Sequence, residues 1–535
     1  MGYMGTHGAS MDLDRRGFVA TAACAAGTVA LAGAGTASAS ASEAGDKAVA
    51  SGPAGSAAGE KAAAWDATYD VVVIGYGLAG GTAARHAADA GAKVLLIDGA
   101  PEGGEGGNTK FAKQLLASGH DVDSAVTYLK ALNANFEVDD EIIRMFAEQM
   151  VAIPDYCKEY LGADVYSWRG NDDPVLAPFV PEYPELPGSE EFDAYTITEA
   201  NGDGALWIKT QELIAARADS IDVWPASPAR HLIRDAQTGV VTGAIIEHEG
   251  ADQRVQATGG VVLACGGFEF NDEMLHTYLG VPRVTGIGTP YNTGDGIRMA
   301  LEIGADLWHM KSYEPGSQSL MFDPGDGSSP LAAGAIPVDG STIFVGSDGR
   351  RYFNELAENR HGRVRHAGEF RPVEHSCKPW FVWDQTRMDE VAAAGMVDAM
   401  PVLAEERYVK ADTLEALAEA CGMDPAVLVE QIDHWNVFAE AGCDYQFGRD
   451  PATLRAFDGG PYYAMPGVPL ILNTQGGPRR NVRAEILDPN GEPIPHLYGA
   501  GELGSINAFQ YQGGCNLSEC LIFGRIAGEN AAAAR

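Results

Sequence analysis

The sequence predicts an α/β protein built from two intimately joined domains. Three observations predict it. A strand, a glycine turn, a helix and a second strand succeed one another between Tyr69 and Asp98. Further glycine turns, each closing an apolar strand or opening a helix, recur as far as Gly514. Finally, 535 residues exceed what one hydrophobic core ordinarily organises. A composition of 46% hydrophobic and 21% charged residues supplies ample core for a globular chain.

Near the start, Asp14-Arg15-Arg16-Gly17-Phe18-Val19-Ala20 is a twin-arginine pattern. An apolar Ala/Gly-rich stretch runs from Thr21 to Gly35, and small residues end it at Ala37-Ser38-Ala39-Ser40-Ala41. Charged start, short apolar middle and A-x-A exit make residues 1–41 a twin-arginine signal peptide, with a middle too short and weakly apolar for a membrane helix. Residues 42–65, rich in Ala, Gly and Ser, read as a flexible linker. The leader predicts export across the cytoplasmic membrane, to the periplasm or cell envelope, with no stable membrane span after its removal. That route carries folded proteins, which suits a cofactor inserted before export.

With 37 basic and 74 acidic residues the net charge is −37, which argues against nucleic acid or anionic lipid as partner, since both need a basic patch. An acidic surface suits a basic electron carrier, and equally suits plain solubility. None of the eight cysteines forms a C-x-x-C pair, so no iron–sulfur or zinc site, and no metal, is expected.

Tyr69-Asp70-Val71-Val72-Val73-Ile74 reads as a buried strand, and Gly75-x-Gly77-x-x-Gly80 adjoins it without a gap. A helix over 81–90 comes next, and a second strand over 92–97 ends on Asp98. This is the dinucleotide-binding fingerprint: Gly75 for the tight turn, Gly77 for backbone approach to a pyrophosphate, Gly80 for helix–strand packing, and Asp98 for a ribose hydroxyl. The fingerprint does not separate FAD from NAD, but the later glycine turns do. Gly106-Gly107-Asn108-Thr109 is a glycine turn able to deliver amide and hydroxyl groups, Gly260–Phe268 is a buried strand ending at Gly266-Gly267, and Tyr291–Gly296 opens a helix at Asp295. His496–Glu502 is a strand ending on an acid, and Gly513-Gly514-Cys515-Asn516-Leu517 opens the last helix. A long, folded cofactor touched from both ends of the chain explains that distribution, and FAD is such a cofactor.

Over residues 66–535 the chain resembles the FAD flavoproteins that include soluble fumarate reductase, urocanate reductase and the 3-ketosteroid dehydrogenases. The motifs that carry the resemblance include VVVIGYGLAGGTAA, GGNT, VVLACGGFEFN, NTGDGIRMALEIGADL, DGRRYFNE, LYGAGELG and GGCNLSECLIFGRIAGENAA. It implies a doubly wound, glutathione-reductase-like FAD domain split in sequence (66–315 and 456–535), with an α+β capping domain inserted at 316–455. It further implies that Gly75, Gly77, Gly80, Asp98, Gly107, Asn108, Thr109, Gly266, Asp295, Glu502, Asn516 and Leu517 fall around FAD. The N-terminus of the last helix would face the flavin edge that gains negative charge on reduction.

Two departures from that family are informative. Residues 42–65 are too few for a haem or covalent-FMN module, so electrons are expected from a separate donor, a cytochrome or quinol-linked protein, or from substrate oxidation. The dicarboxylate clamp of fumarate-type members is also changed. Their His in H-T-M-G-G is Asn473, with Gln475 in place of Met, and their Arg in N-R-x-G-G-N is replaced in Phe509-Gln510-Tyr511-Gln512-Gly513-Gly514. A buried carboxylate without those partners is costly, so fumarate is not the expected substrate.

Tyr511-x-Gly-Gly is similar to the Tyr-x-Gly segment of 3-ketosteroid dehydrogenases, where Tyr and a glycine amide, here Gly514, polarise a ketone. For the proton partner the family points to an Arg shortly after N-E; Arg360 is nearest, with one residue inserted, and Glu355 or Glu358 would stand behind it as a carboxylate relay. Three functions are compatible with these residues. The first is an exported reductase of a small-molecule enone or enoate; the second is a 3-ketosteroid-type dehydrogenase that introduces a C=C bond. The third is a flavin electron-transfer subunit without an organic substrate, which a large cap over the flavin argues against.

Overall fold

In the computed structural model of the chain the described residues are 64–535, save 135, 137, 172–179, 201, 282–283, 316–320, 323–330, 333–338, 358, 367, 374–378, 400, 405 and 468–469. The expected leader (1–41), all but the end of the expected linker, and Glu358 lie outside the described residues.

The main sheet is assembled from both ends of the chain. Its strand order is Glu485–Leu487, Pro493–Gly499, Ala251–Leu263, Ala67–Ile74, Val94–Ile97, Ile221–Trp224. Along this order every neighbour pairs in parallel except the antiparallel edge strand Glu485–Leu487, and an antiparallel hairpin, Ala229–Arg234 with Val241–His248, joins off this path through Ala251–Leu263. The first strand lies between Val94–Ile97 and Ala251–Leu263, with Val73 opposite both Leu96 and Val262. Strands buried on both faces need apolar side chains at every position, which is why VVVI and VLLI carry no polar residue. Alternation then divides them: Val71, Val73 and Leu96 join the core beneath the helices, while Val72, Ile74, Leu95 and Ile97 join the opposite core. Each such side chain contributes roughly 1.5–3 kcal/mol by leaving water.

The fingerprint helix runs Leu78–Asp89 and the last helix Cys515–Ala533. They cross closely because glycines remove the intervening side chains: a Cβ on Gly524 would lie 2.7 Å from the Ala79 carbonyl oxygen, and one on Gly528 would lie 2.2 Å from that of Ala83. This crossing brings the N-termini of both helices to the same side of the sheet's carboxyl ends.

A second, four-stranded antiparallel sheet, ordered Thr342–Val345, Trp380–Asp384, Tyr462–Pro466, Val409–Ala411, forms the cap. Phe381, Trp383 and Tyr463 pack on one face; Ile343, Val382 and Ala464 pack on the other beneath the helices Leu414–Cys421 and Pro425–Ala441. The strand Tyr462–Pro466 lies beyond the sequence boundary expected at 455/456, yet it pairs inside this sheet. A small hairpin, Asn359–Arg360 and Arg363–His366 with Glu369–Pro372 beside it, extends from the cap towards the main domain.

Candidate active site

A cavity of about 640 Å3 runs from the first glycine turn to the start of the last helix. At its near end, Gly75 and Gly80 make the turn possible: Gly75 has φ +109, and a Cβ on Gly80 would fall 1.8 Å from the Gly75 carbonyl oxygen. Gly75 and Gly77 line the cavity, whereas Gly80 packs behind the turn. The N-cap of the next helix is Gly77, which offers no capping side chain, so the positive end of the helix opens onto the cavity.

Asp98 lies beside that turn, but its two oxygens already accept the Tyr76 N–H at 2.7 Å and the Ala100 N–H at 2.8 Å. Burial raises its pKa against the pull of those two amides. Each oxygen retains a lone pair, so Asp98 both fixes the loop and lines the cavity.

Asn108 organises the middle of the site. Its amide nitrogen donates to Glu269 at 2.8 Å and to Glu502 at 3.1 Å, and its oxygen accepts the Thr289 N–H at 3.0 Å. Thr109 accepts the Leu78 N–H at 3.2 Å. Glu502 also accepts the Thr474 N–H at 3.1 Å, and Asn292 donates to Glu269 at 3.1 Å. Burial first, and then mutual repulsion with Glu269, pushes the Glu502 carboxyl well above the ordinary carboxylate range; the Glu269 carboxyl is raised as well, by burial. Asn108 thus bonds to both carboxyls at once. Gly107, Gly266 and Asp295 line the same stretch, with Asp295 in the first turn of the helix Asp295–Glu302.

At the far end, Gly514 is the N-cap of the last helix in a left-handed conformation, φ +94, and a Cβ there would meet the Ala117 amide nitrogen at 2.9 Å. Asn516 and Leu517 come next along the wall. Asn473 lines the cavity, while Gln475 stands one layer behind, donating to Asn473 at 2.9 Å and paired with Asn516 at 3.2 Å. The Tyr511 ring is buried, and the Asn516 N–H reaches its oxygen at 3.5 Å. Burial holds the Tyr511 phenol well above its ordinary pKa, so it stays protonated.

The cap hairpin contributes a residue that spacing in the sequence does not single out. Arg360 pairs with Arg363, leaving His361 and Gly362 as a two-residue turn with φ +49 and +72, the geometry of a type I′ hairpin. His361 at its tip lines the cavity, with its ring centroid 5.6 Å from that of Tyr511, and shares a 2.9 Å hydrogen bond between Nε2 and Glu182 Oε2. The same Glu182 oxygen accepts the Gly513 N–H at 3.2 Å.

Two expected catalytic residues sit elsewhere. Arg360 does not line the cavity: Nη1 donates to both Glu185 oxygens, at 2.7 and 2.9 Å, and the guanidinium lies over Tyr183 and Phe370. The hairpin turn explains this, because the paired position before the tip points away from the tip. Glu355 lies in a fully buried ion cluster of the cap, accepting two 2.7 Å bonds from Arg351 beside Asp444 and Arg449. It cannot relay protons to Arg360 through those partners. The remaining cofactor and substrate positions expected from the sequence gather around the one cavity. Glu182 and Glu269 were not among them; Glu269 stands in the GGFEFN segment, whereas nothing local marks Glu182.

The family described as "FAD binding domain" matches residues 70–517. The chain belongs to this family. Among its relatives, the probable fumarate reductase Ifc3 of Shewanella frigidimarina is 28% identical over 91% of this chain and 76% of its own length. The digoxin reductase of Eggerthella lenta is 28% identical over 88% of each chain. In fold, 3-ketosteroid Δ1-dehydrogenase from Sterolibacterium denitrificans superposes with a TM-score of 0.67, at 21% identity, over 88% of this chain and all of that one. The protein is an FAD-dependent oxidoreductase of the class that acts on CH–CH bonds, built on the FAD-binding fold with a cap.

The residues present fit FAD. Two helices of 12 and 19 residues, each with a glycine N-cap, open onto one elongated cavity, which suits an anionic pyrophosphate at one end and a ring that gains charge at the other. Between them Asn108, Thr109 and Glu502 supply polar groups along the cavity wall, as suits a ligand rich in hydroxyls. Among the described residues no helix is long and apolar enough to cross a membrane.

Proposed function

We propose that the protein is an exported reductase of an activated C=C bond, an enone or enoate rather than a small dicarboxylate, fed by a separate electron donor such as a cytochrome or quinol-linked protein. The observation that carries this reading is the meeting, at one end of the cavity, of the protonated Tyr511 phenol, the Gly514 helix start and the imidazole of His361. A phenol and a helix N-terminus suit a carbonyl oxygen on which negative charge gathers in the transition state. The imidazole at this end faces a carboxylate of its own, His361 with Glu182, so a second substrate carboxylate would enter unmatched. When bound, FAD supplies two-electron chemistry. Asn108, Glu502 and Asp98 would hold it, with Asn516 and Leu517 along its far wall, while Tyr511 orients the substrate carbonyl.

Two relatives named as reductases support the reductive direction, and the twin-arginine pattern supports export. A second reading, removal of hydrogen from a ketone of steroid type, is favoured by the same Tyr511–Gly514 pairing, because polarising a ketone also acidifies its α-hydrogen. The test is anaerobic: the chemically reduced protein is mixed with ketosteroid enones, cinnamate-type acids, urocanate and fumarate while the flavin spectrum is monitored. Rapid reoxidation by enones or enoates, slowed in Tyr511→Phe, supports the reading. Bleaching of the oxidised flavin by saturated ketones, with no alkene active, replaces it with the second.

A further inference from the structure

The geometry points to His361, oriented by Glu182, as the group that delivers the proton to the substrate. This rests on the reductase reading. Of the two hydrogens added across the C=C bond, reduced FAD, when bound, would supply one together with its electron pair. The other arrives at the carbon next to the carbonyl as a proton from the imidazolium. That N–H bond breaks and a C–H bond forms. The nitrogen keeps the electron pair, and solvent later restores the proton.

Four features of the site support the assignment. First, His361 is aimed by backbone, since it occupies the first central position of a two-residue hairpin turn at φ +49. Second, Glu182 binds both Nε2 of His361 and the Gly513 N–H, so one carboxylate joins the cap hairpin to the loop before the last helix. Third, the residue that carries this carboxylate is itself fixed. Its backbone N–H donates to Gln512 Oε1 at 2.9 Å, and the Tyr128 hydroxyl donates to the same oxygen at 2.6 Å. Fourth, the ring lies against Tyr511, so donor and polarising phenol face one space.

The charges around the ring favour its protonated form. From the loop comes Glu182, from the strand Tyr313–Pro315 comes Glu314, from its own hairpin comes Arg363, and from the loop before the last helix comes the neutral Tyr511. Burial alone would lower the His361 pKa, but the two carboxylates outweigh burial and Arg363, and leave it above the ordinary value. A histidine so placed holds its proton more firmly than a free imidazole and can give it up when charge develops on the substrate. Arg360, one residue earlier, is engaged by Glu185 and points elsewhere.

The test uses the full FAD-loaded protein and the variants His361→Gln and Glu182→Gln, with FAD content and circular dichroism as checks on folding. Reoxidation of the chemically reduced flavin by an active alkene should slow about 100- to 10,000-fold in His361→Gln, the range for loss of a general acid. Substrate-induced spectral shifts and the rate of chemical reduction should be retained. In Glu182→Gln the alkaline limb of the pH–rate profile should move to lower pH, a displacement that a merely structural role would not produce. Independently of turnover, NMR of the histidine rings should show one signal, absent in His361→Gln, that titrates above the ordinary histidine range and moves down in Glu182→Gln. Reoxidation of His361→Gln within threefold of wild type, with an unchanged pH profile, overturns the assignment. If no alkene reoxidises even the wild-type flavin, the reductase reading fails, and the ring titration decides the rest. A His361 already neutral at pH 7 overturns the proton-donor role whatever the alkenes do, and one that is protonated and controlled by Glu182 shows that the failure lies in the reductase reading and not in the pairing of His361 with Glu182.

Discussion

Glu355→Gln separates the place of this residue in the structure from the relay role that its sequence position suggests. In the cap, Arg351 and Arg449 face Glu355 and Asp444, two cations against two anions, with Arg351 and Glu355 side chains wholly shielded from solvent. Glutamine is the same size and keeps one oxygen for the Phe344 N–H (3.2 Å) and Arg351 Nε (2.7 Å). Its NH2 group, however, replaces the oxygen that faces Arg351 Nη2 at 2.7 Å and Arg449 Nη1 at 3.5 Å. One buried positive charge is then uncompensated, which costs about 3–5 kcal/mol. For a unit of roughly 150–250 residues this corresponds to a fall in Tm of about 6–20 °C. Thermal unfolding recorded by circular dichroism, with flavin release read by fluorescence, measures it. Below the transition, flavin reoxidation by an active alkene should stay within severalfold of wild type. An unchanged Tm together with a hundredfold slower reoxidation would refute the reasoning and return Glu355 to the chemistry.

Three other outcomes are expected. Gly514→Ala must leave a left-handed conformation or press its Cβ against the Ala117 amide at 2.9 Å, so FAD retention on gel filtration should fall together with Tm; full retention contradicts the tight helix start. Asn108→Ala strips hydrogen bonds from Glu269, Glu502 and the Thr289 amide at once, and fluorescence titration of apoprotein should show FAD binding weakened at least tenfold, at about 0.5–1.5 kcal/mol per bond. Burial pushes the Glu314 carboxyl from 4.5 up to about 7, against the pull of Arg363 and His361. The folded state therefore holds this proton more tightly than the unfolded state. Its contribution is full below about pH 4.5 and is lost as pH rises through about 7. The decline in Tm between pH 5 and 8 should be shallower in Glu314→Gln, and an identical slope would show that Glu314 does not titrate there.

Much of this architecture was legible because it is local. Val71–Ile74, Gly75, Gly77 and Gly80 are contiguous, and their spacing alone demands a buried strand, a turn and a helix. Glycine turns as distant as Gly107 and Gly514 could be assigned to one cavity because each opens or closes an element, and the elements converge at the carboxyl ends of the sheet. The catalytic end was less legible. Glu182 meets His361 across 179 positions, a pairing that no periodicity reveals. The expectation for Arg360 rests on spacing from Asn354 and Glu355, whereas a two-residue turn reverses the chain at His361-Gly362 and places His361, not Arg360, at the cavity. Glu355, in turn, resembles a relay in sequence, but its neighbour Asp444 comes from beyond the helix Pro425–Ala441, invisible to any local reading.

The central claim is that this flavin reduces activated alkenes. The most direct measurement is the rate at which the anaerobically reduced protein is reoxidised by each member of the alkene panel. Fast reoxidation by an enone or enoate, with fumarate inert, is the predicted result. A reduced flavin untouched by every alkene but formed readily from saturated ketones would contradict it.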